Sequence, residues 1–323
     1  MAVIKANAYG HGAVQAAEVL ERCGVDYLAV ACISEALELR RNGIKMPILI
    51  MGYTPVEHVD LLIEHNIAQA VFELEYAKGL SKNLSQNLPV HIKVNTGMNR
   101  LGVRSAQEVR EIARLKHFVP EGIFTHLADA DKPGGSSAGE QLAVFNGIMD
   151  ELVDINFQIT HCANSGGMLY YKESRLDMVR TGLAMYGAEG NPNYKPVMRL
   201  WSRIAQITRI GAGQTISYGR TYKAERDMTI AVVCAGYADG YMRGLSNKGL
   251  AEYNGVLVPV VGRVCMDMFM LDVSDVKDAK AGDTVTLFGS ETLSAARVAE
   301  LAGTIHYELL CAVSDRVPRN YIY

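Results

Sequence analysis

No stretch of this chain is long and apolar enough to suggest a membrane span, because its most hydrophobic region, 256–273, is interrupted by Gly262, Arg263 and Asp267. Its start lacks the pattern of a secretory signal peptide. An excess of basic charge is missing as well. Lysine and arginine total 32 against 35 aspartate and glutamate, for a net charge of -3, and no long basic cluster occurs, which argues against nucleic acid as a partner. Cysteine pairs are equally absent. Cys23, Cys32, Cys162, Cys234, Cys265 and Cys311 form no CxxC pair and no zinc-type spacing, so free thiols in a reducing, cytoplasmic setting are the simplest reading. Neither internal sequence repeats nor low-complexity tracts are found. What remains is a chain of 323 residues, 49% hydrophobic, long enough for about two domains with separate cores.

Over the first part of the chain, short apolar runs alternate with segments of helical spacing. The runs fall at 2–5, 27–31, 47–51, 69–72, 90–95, 122–126, 158–163 and 178–180. A strand followed by a helix, repeated eight times, predicts a (β/α)8 TIM-type barrel in α/β style. Helices are expected over 34–42, stopped by Gly43, and over 105–115, where Ser105 and Glu108 form a capping-box pattern. Beyond Pro196 the texture becomes rich in Val, Ile, Thr and Gly, with strands expected at 229–233, 256–261, 269–273 and 284–288. A helix over 294–302, ended by Gly303, interrupts them. The resulting division is a barrel over 1–195 and a mainly β C-terminal domain over 196–323, joined by a linker at 191–196.

Chemistry concentrates first at Lys5, which closes the apolar run Ala2-Val3-Ile4 and precedes small, turn-prone residues. A partly desolvated ammonium there has a lowered pKa and is suited to forming an imine, although a lysine at a strand end is more often a snorkelling surface cation. In a barrel of this kind active sites lie at the C-terminal ends of the strands. Lys5, Lys93, His126, His161, Asn164, Ser165 and Arg180 all occupy such positions. Singly, each reads as a satisfied structural residue; together they make one rim. The loops after strands seven and eight, with Asn164-Ser165-Gly166-Gly167 and Thr181-Gly182, offer a hydroxyl and open backbone amides to a phosphate.

The segment AVIKANAYGHG at 2–12 resembles the pyridoxal-phosphate attachment segment of bacterial alanine racemases. The resemblance continues in register through NTGMNRLG at 95–102, HCANS at 161–165, RTGLAMYG at 180–187, ISYG at 216–219, GYADG at 236–240, VGRVCMD at 261–267 and HYE at 306–308. It implies that Lys5 carries pyridoxal 5'-phosphate and that Tyr9, Asn164, Ser165, Gly182, Leu183 and Tyr307 surround the cofactor and its phosphate. Racemisation needs an acid/base group on each face of the substrate, and the family's pair corresponds to Lys5 and Tyr218 of a partner subunit. A phenol with an unperturbed pKa near 10 needs a positive neighbourhood, which the family supplies through residues matching His126, Arg180 and His161. Arg180 also favours a racemase over the related barrel decarboxylases, since its fixed charge disfavours protonation of the pyridine nitrogen.

By the same resemblance Arg100 and the backbone at Met266 bind the substrate carboxylate, and Lys93 matches a position often carbamylated, where an anion could pair with Arg100. Tyr237 and Tyr307 would narrow the way in. Asn99 departs from the small residue common before that arginine. The implied protein is a homodimer, each site completed by Tyr218, Tyr237 and Met266 of the partner subunit, which makes D-alanine for peptidoglycan. Serine racemisation, including by the catalytic half of a membrane-anchored enzyme, is the nearest alternative, and Tyr307 weighs towards alanine. A non-catalytic pyridoxal-phosphate carrier on the same barrel is a second; the β-rich half and Tyr218 weigh against it. Metal-dependent hydrolysis through His126, Asp129 and Asp131 is weaker, for want of an HxH pair. The family places a strand and a helix ahead of the lysine strand, so adding that segment upstream of Met1 is expected to raise the thermal midpoint.

Overall fold

The computed structural model describes residues 1–131, 133–188 and 193–322. Contacts divide them into two units, one of 1–8 with 12–182, the other of 9–11 with 183–323. The linker expected at 191–196 lies partly outside the described residues, at Asn191 and Pro192.

The first unit is built on seven parallel strands in sequential order: β1 (Ala2–Val3), β2 (Leu28–Val30), β3 (Ile48–Ile50), β4 (Ala68–Val71), β5 (Leu88–Lys93), β6 (Phe118–Phe124) and β7 (Ile159–His161). Most strand positions are fully buried, as runs without polar alternation require when both faces are covered. The eighth run forms no ladder of its own. Instead its backbone closes the sheet one bond at a time. Arg180 N–H donates to the Ala163 carbonyl at 2.9 Å, Thr181 N–H to Met1 at 3.0 Å, and Val3 N–H to Thr181 at 2.8 Å. The barrel is therefore closed, but the chain turns into Gly182 as soon as Arg180 and Thr181 have bridged the gap, too soon for two consecutive ladder rungs.

Helices follow the expected signals. One spans Ile33–Arg41, with Gly43 at φ 84° behind it, and another spans Ala106–Ala113. At the latter, Ser105 Oγ accepts from Glu108 N–H at 3.3 Å, while the Glu108 carboxylate reaches the Arg104 N–H at 3.0 Å, one residue upstream of the usual capping-box target. The segment after β1 holds a surprise. Ala6, Asn7, Ala8 and Tyr9 all have positive φ, at 51°, 54°, 53° and 52°, so the expected turn is a left-handed helical turn made without glycine.

The second unit carries a six-stranded antiparallel sheet. In chain order its strands are β8 (Leu200–Ile210), β9 (Met228–Val233), β10 (Leu250–Tyr253), β11 (Val256–Pro259), β12 (Phe269–Asp272) and β13 (Thr284–Phe288), arranged β11-β10-β13-β8-β9-β12. The outer strands meet, since Val260 bridges Leu271 and Val261 N–H donates to Met270 at 2.9 Å, so no long edge is left open. Around Tyr241, Phe269, Phe288 and Leu287 lies its apolar core. Sequence pattern misses β8, whose exposed and half-buried positions break any apolar run, and β10. It also misses the short helix His306–Cys311 that carries Tyr307. The helix Ala295–Ala302 is capped by Ser294 and stopped by left-handed Gly303 as expected.

Candidate active site

At the barrel rim, Arg180 is 3% exposed and spends its guanidinium on neutral acceptors. Nη1 donates to His161 Nδ1 and to the His161 carbonyl, both at 3.0 Å. Nη2 donates to the carbonyls of Thr125 at 2.7 Å and Cys162 at 3.0 Å, and lies 3.3 Å from His126 Nδ1. The expected association of Arg180 with both histidines is thus present in the geometry. Since arginine can only donate, both Nδ1 atoms are acceptors and both rings are neutral. Electrostatics agree. Burial, then the charges of Arg180, Arg100, Lys93 and Lys5, push His126 down to about 2. Burial and Arg180 hold His161 well below the ordinary imidazole range.

Lys93, at the end of β5, is buried, and burial followed by Arg100, Arg180 and Lys5 lowers its ammonium to about 8. Every charge acting on Lys93 and His126 here is positive. The rim is electropositive and suited to an anion. Arg100 is exposed, at the end of a loop shaped by Asn95, whose Oδ1 accepts from Gly97 N–H at 3.2 Å and Asn99 N–H at 3.0 Å. Asn99 sits at φ 56°, a conformation asparagine tolerates better than most residues, and its Oδ1 accepts from Arg104 Nη2 at 3.1 Å. That supplies a reason for the departure at this position. Asn164 caps the helix Ser165–Tyr170 by accepting from Gly167 N–H at 2.9 Å, and Gly182 N–H donates to Ser165 Oγ at 3.1 Å.

Several supporting residues escape sequence reading. Gln141 ties the rim together by donating to Thr96 Oγ1 and to the His126 carbonyl, each at 3.1 Å, and accepting from Ala128 N–H at 2.8 Å. Glu35 accepts from Ala6 N–H at 2.6 Å and Ala31 N–H at 2.7 Å. His91, fully buried within β5, contacts His161. Of these only His91 left a signal, as a titratable residue inside an apolar strand two positions before Lys93.

In the second unit Tyr9 is buried, with its ring 5.2 Å from that of Tyr186 and 6.2 Å from that of Tyr307. Burial, with Tyr307 and Cys311 adding to it, raises its phenol well above the ordinary value, so it stays a hydroxyl donor. Leu183 is buried at the start of the helix Leu183–Tyr186. Tyr218 is 73% exposed, on a backbone with positive φ at Ser217, Gly219 and Arg220. Ser217 Oγ anchors it by donating to the Arg263 carbonyl at 2.7 Å. Tyr218, Tyr237 and Met266 line one hollow of about 450 Å³ with Arg243, Arg263 and Cys265. Met266 is 53% exposed, not a core filler. Arg316 binds Asp239 through Nε at 2.7 Å and Nη2 at 3.0 Å, and Asp267 at 2.8 Å, so the loops carrying Tyr237 and Met266 are clamped together.

Among the described residues no group of three or more metal-ligating side chains could hold a metal ion, and no helix is long and apolar enough to cross a membrane. A strand-end lysine, a buried arginine donating only to neutral groups and an anion-attracting rim on a parallel barrel, with a separate β domain, are the features expected of an enzyme that binds a phosphate cofactor through a lysine. The family models for the alanine racemase N-terminal domain and C-terminal domain match residues 1–190 and 197–321. Alanine racemase 1 of Clostridium acetobutylicum is 41% identical over 339 residues, covering 99% of this chain and 88% of that protein. The crystal structure of alanine racemase from E. faecalis superposes with a TM-score of 0.93 at 37% identity, covering 100% of this chain and 91% of that one. The alanine racemase of Bacillus anthracis, solved with bound L-Ala-P, gives 0.92 at 35% identity, over 100% and 88% of the two chains. The chain belongs to the alanine racemase family, isomerases that depend on pyridoxal 5'-phosphate. Its residues fit that cofactor: the rim draws anions, Ser165 and Gly182 place a hydroxyl and an amide together, and Arg180 is fixed with its charge uncompensated by any carboxylate in its hydrogen-bond shell.

Proposed function

We propose that this chain interconverts L- and D-alanine, with Lys5 and Tyr218 as the two acid/base groups. What pyridoxal phosphate supplies when bound is electron withdrawal that acidifies the substrate Cα–H bond. Lys5 Nζ takes or returns the α-proton on the face where D-alanine presents it, and the hydroxyl of Tyr218 of the partner subunit does so on the other. A single base cannot readily serve both faces. Tyr9, Asn164, Ser165, Gly182, Leu183 and Tyr307 would hold the cofactor and its phosphate, and Arg180, steadied by His126 and His161, would supply the fixed charge that disfavours protonation of its pyridine nitrogen. The observation that carries the reading is the Arg180 site, where a guanidinium lodged among neutral acceptors keeps a fixed charge that disfavours a second positive charge on whatever it faces.

Arg100 and the backbone at Met266 receive the substrate carboxylate, and Tyr237 and Tyr307 limit side-chain size. Lys93 becomes carbamylated. With its ammonium lowered to about 8 by burial and the neighbouring cations, part of it is neutral near physiological pH. That nitrogen adds to carbon dioxide, forming a C–N bond and releasing one proton, and the resulting anion pairs with Arg100. The protein works as a homodimer in the cytoplasm, supplying D-alanine for peptidoglycan, with its domain boundary at 195/196. The test is proton NMR of L-alanine in heavy water with the protein and added cofactor, followed by chiral analysis. Loss of the α-proton signal with appearance of D-alanine is the expected result; full retention of that signal refutes it.

A further inference from the structure

A polar chain runs from Arg180 into the barrel, where such folds ordinarily pack branched apolar side chains. Arg180 Nη1 donates to His161 Nδ1 at 3.0 Å, and His161 Nε2 lies 2.9 Å from His91 Nδ1. Beyond that ring, His91 Nε2 is 3.6 Å from Glu121 Oε2, longer than a hydrogen bond, and the same oxygen accepts from Tyr27 Oη at 3.3 Å. Both histidines are fully buried. Hydrogen-bond arithmetic fixes every proton in the chain. Arginine must donate, so His161 Nδ1 accepts and its proton is on Nε2. That proton occupies the only gap to His91 Nδ1, so the His91 proton is on Nε2 and points at Glu121. Glu121 is ionised, held below the ordinary carboxylate range chiefly by His91.

The fold makes room for this chain. A Cβ at Gly122 would lie 2.3 Å from His91 Nδ1, and the β5–β6 register shifts between Val90 and His91. Arg180 has no carboxylate in its own hydrogen-bond shell, so the aligned imidazole dipoles lead from its charge to the negative end at Glu121. We propose that His91 and Glu121 are positioning residues for the reaction, Glu121 serving as the remote counter-ion that fixes the orientation and charge of Arg180 through two neutral imidazoles. The proposal deepens the racemase reading and rests on it for its kinetic consequence; its tautomer consequence holds whatever the activity.

The test uses holoenzyme labelled with ¹⁵N-histidine. Two-bond proton–nitrogen correlation should show His161 and His91 each as a single Nε2–H tautomer. His91→Leu removes the acceptor for His161, so the His161 Nε2 proton should move upfield as its hydrogen bond is lost, while Arg180 keeps the tautomer, with kcat lower by about tenfold or more and KM little changed. His91→Gln offers a carbonyl to His161 and an amide to Glu121, and should restore the hydrogen-bonded His161 Nε2 proton and bring kcat back to within about threefold. Glu121→Gln keeps an acceptor without the charge, and should leave the tautomers in place while kcat still falls. It also serves if His91→Leu does not fold. A purely structural role predicts a lower melting temperature with kcat unmoved in His91→Leu and Glu121→Gln, and that outcome overturns the proposal. Absence of racemisation alongside the expected tautomers would count against the racemase reading and the kinetic role, while the spectra would still establish the chain's proton positions.

Discussion

Gly122→Ala is ordinarily a mild change within a strand, yet here it is expected to destabilise the barrel clearly. The new Cβ would meet His91 at 2.3 Å from Nδ1, 2.6 Å from Cε1 and 2.9 Å from Cγ, where ordinary contact begins at 3.4 Å. The ring cannot retreat, because it is bonded to His161 at 2.9 Å, faces Glu121 at 3.6 Å and packs edge-on against the Tyr27 ring at 5.7 Å. Overpacking of this kind costs about 1–3 kcal/mol, and a loosened His91–His161 bond adds roughly 1 kcal/mol. Reduced freedom of the unfolded chain returns about 0.4–1 kcal/mol. The net is a loss of about 1–3 kcal/mol, or a midpoint lower by roughly 2–12 °C for a domain of this size. Scanning calorimetry reads it, with Gly147→Ala as control: that glycine lies in the helix Ser136–Glu151 with nothing within 4 Å of a new Cβ. The control should gain about 0.5–1 kcal/mol. A Gly122→Ala midpoint at or above the parent's would refute the claim that His91 is locked in place.

Two further outcomes follow from the proposed roles. Tyr218→Phe should reduce racemisation by about 10²–10⁴-fold while exchange of the α-hydrogen of D-alanine with heavy water, served by Lys5, persists; equal loss of exchange from both enantiomers would count against two separate bases. Lys93→Met should remove a pH dependence of stability. The folded Lys93 ammonium sits at about 8 against 10.5 for the free group. Between those values the unfolded chain binds more protons, so the parent's stability should climb with pH across that window by at most about 3 kcal/mol. In buffer free of carbon dioxide, melts of the two proteins should therefore diverge in the parent's favour as pH rises from 8 towards 10.5; parallel curves would show that the native lysine is not desolvated.

What the sequence discloses here depends on how local the cause is. Buried parallel strands such as Leu28–Val30 and Ile48–Ile50 read as unbroken apolar runs because both faces are covered, and the caps at Ser105 and Ser294 act within three residues. By contrast β8 pairs with two strands while much of its length is exposed or half-buried, so its pattern is set by neighbours far along the chain. Rim residues such as Lys93 and Arg180 could be found because strand ends mark them. His91 and Glu121 could not be joined to them without the β5–β6 and β6–β7 pairings, since the relay links three strands.

The turn after β1 is the sharper case. Four consecutive L-residues in the left-handed region cost about 1–2 kcal/mol each, and of Ala6, Asn7, Ala8 and Tyr9 only asparagine tolerates it well. Local preference alone would choose another conformation, so the fold must impose this one. Specific contacts hold it. Glu35 accepts the Ala6 N–H while its other oxygen accepts the Ala31 N–H, Asn7 Oδ1 accepts the Ala13 N–H at 2.7 Å, and Gly12 N–H donates to the Asn7 carbonyl at 2.9 Å. Each partner is ordinary in sequence: Glu35 reads as an acid in the first turn of a surface helix. A strained turn held in part by distant groups belongs where position matters more than stability, and this one begins at Lys5 and ends at Tyr9, the two residues to which the cofactor's carbonyl and phosphate are assigned.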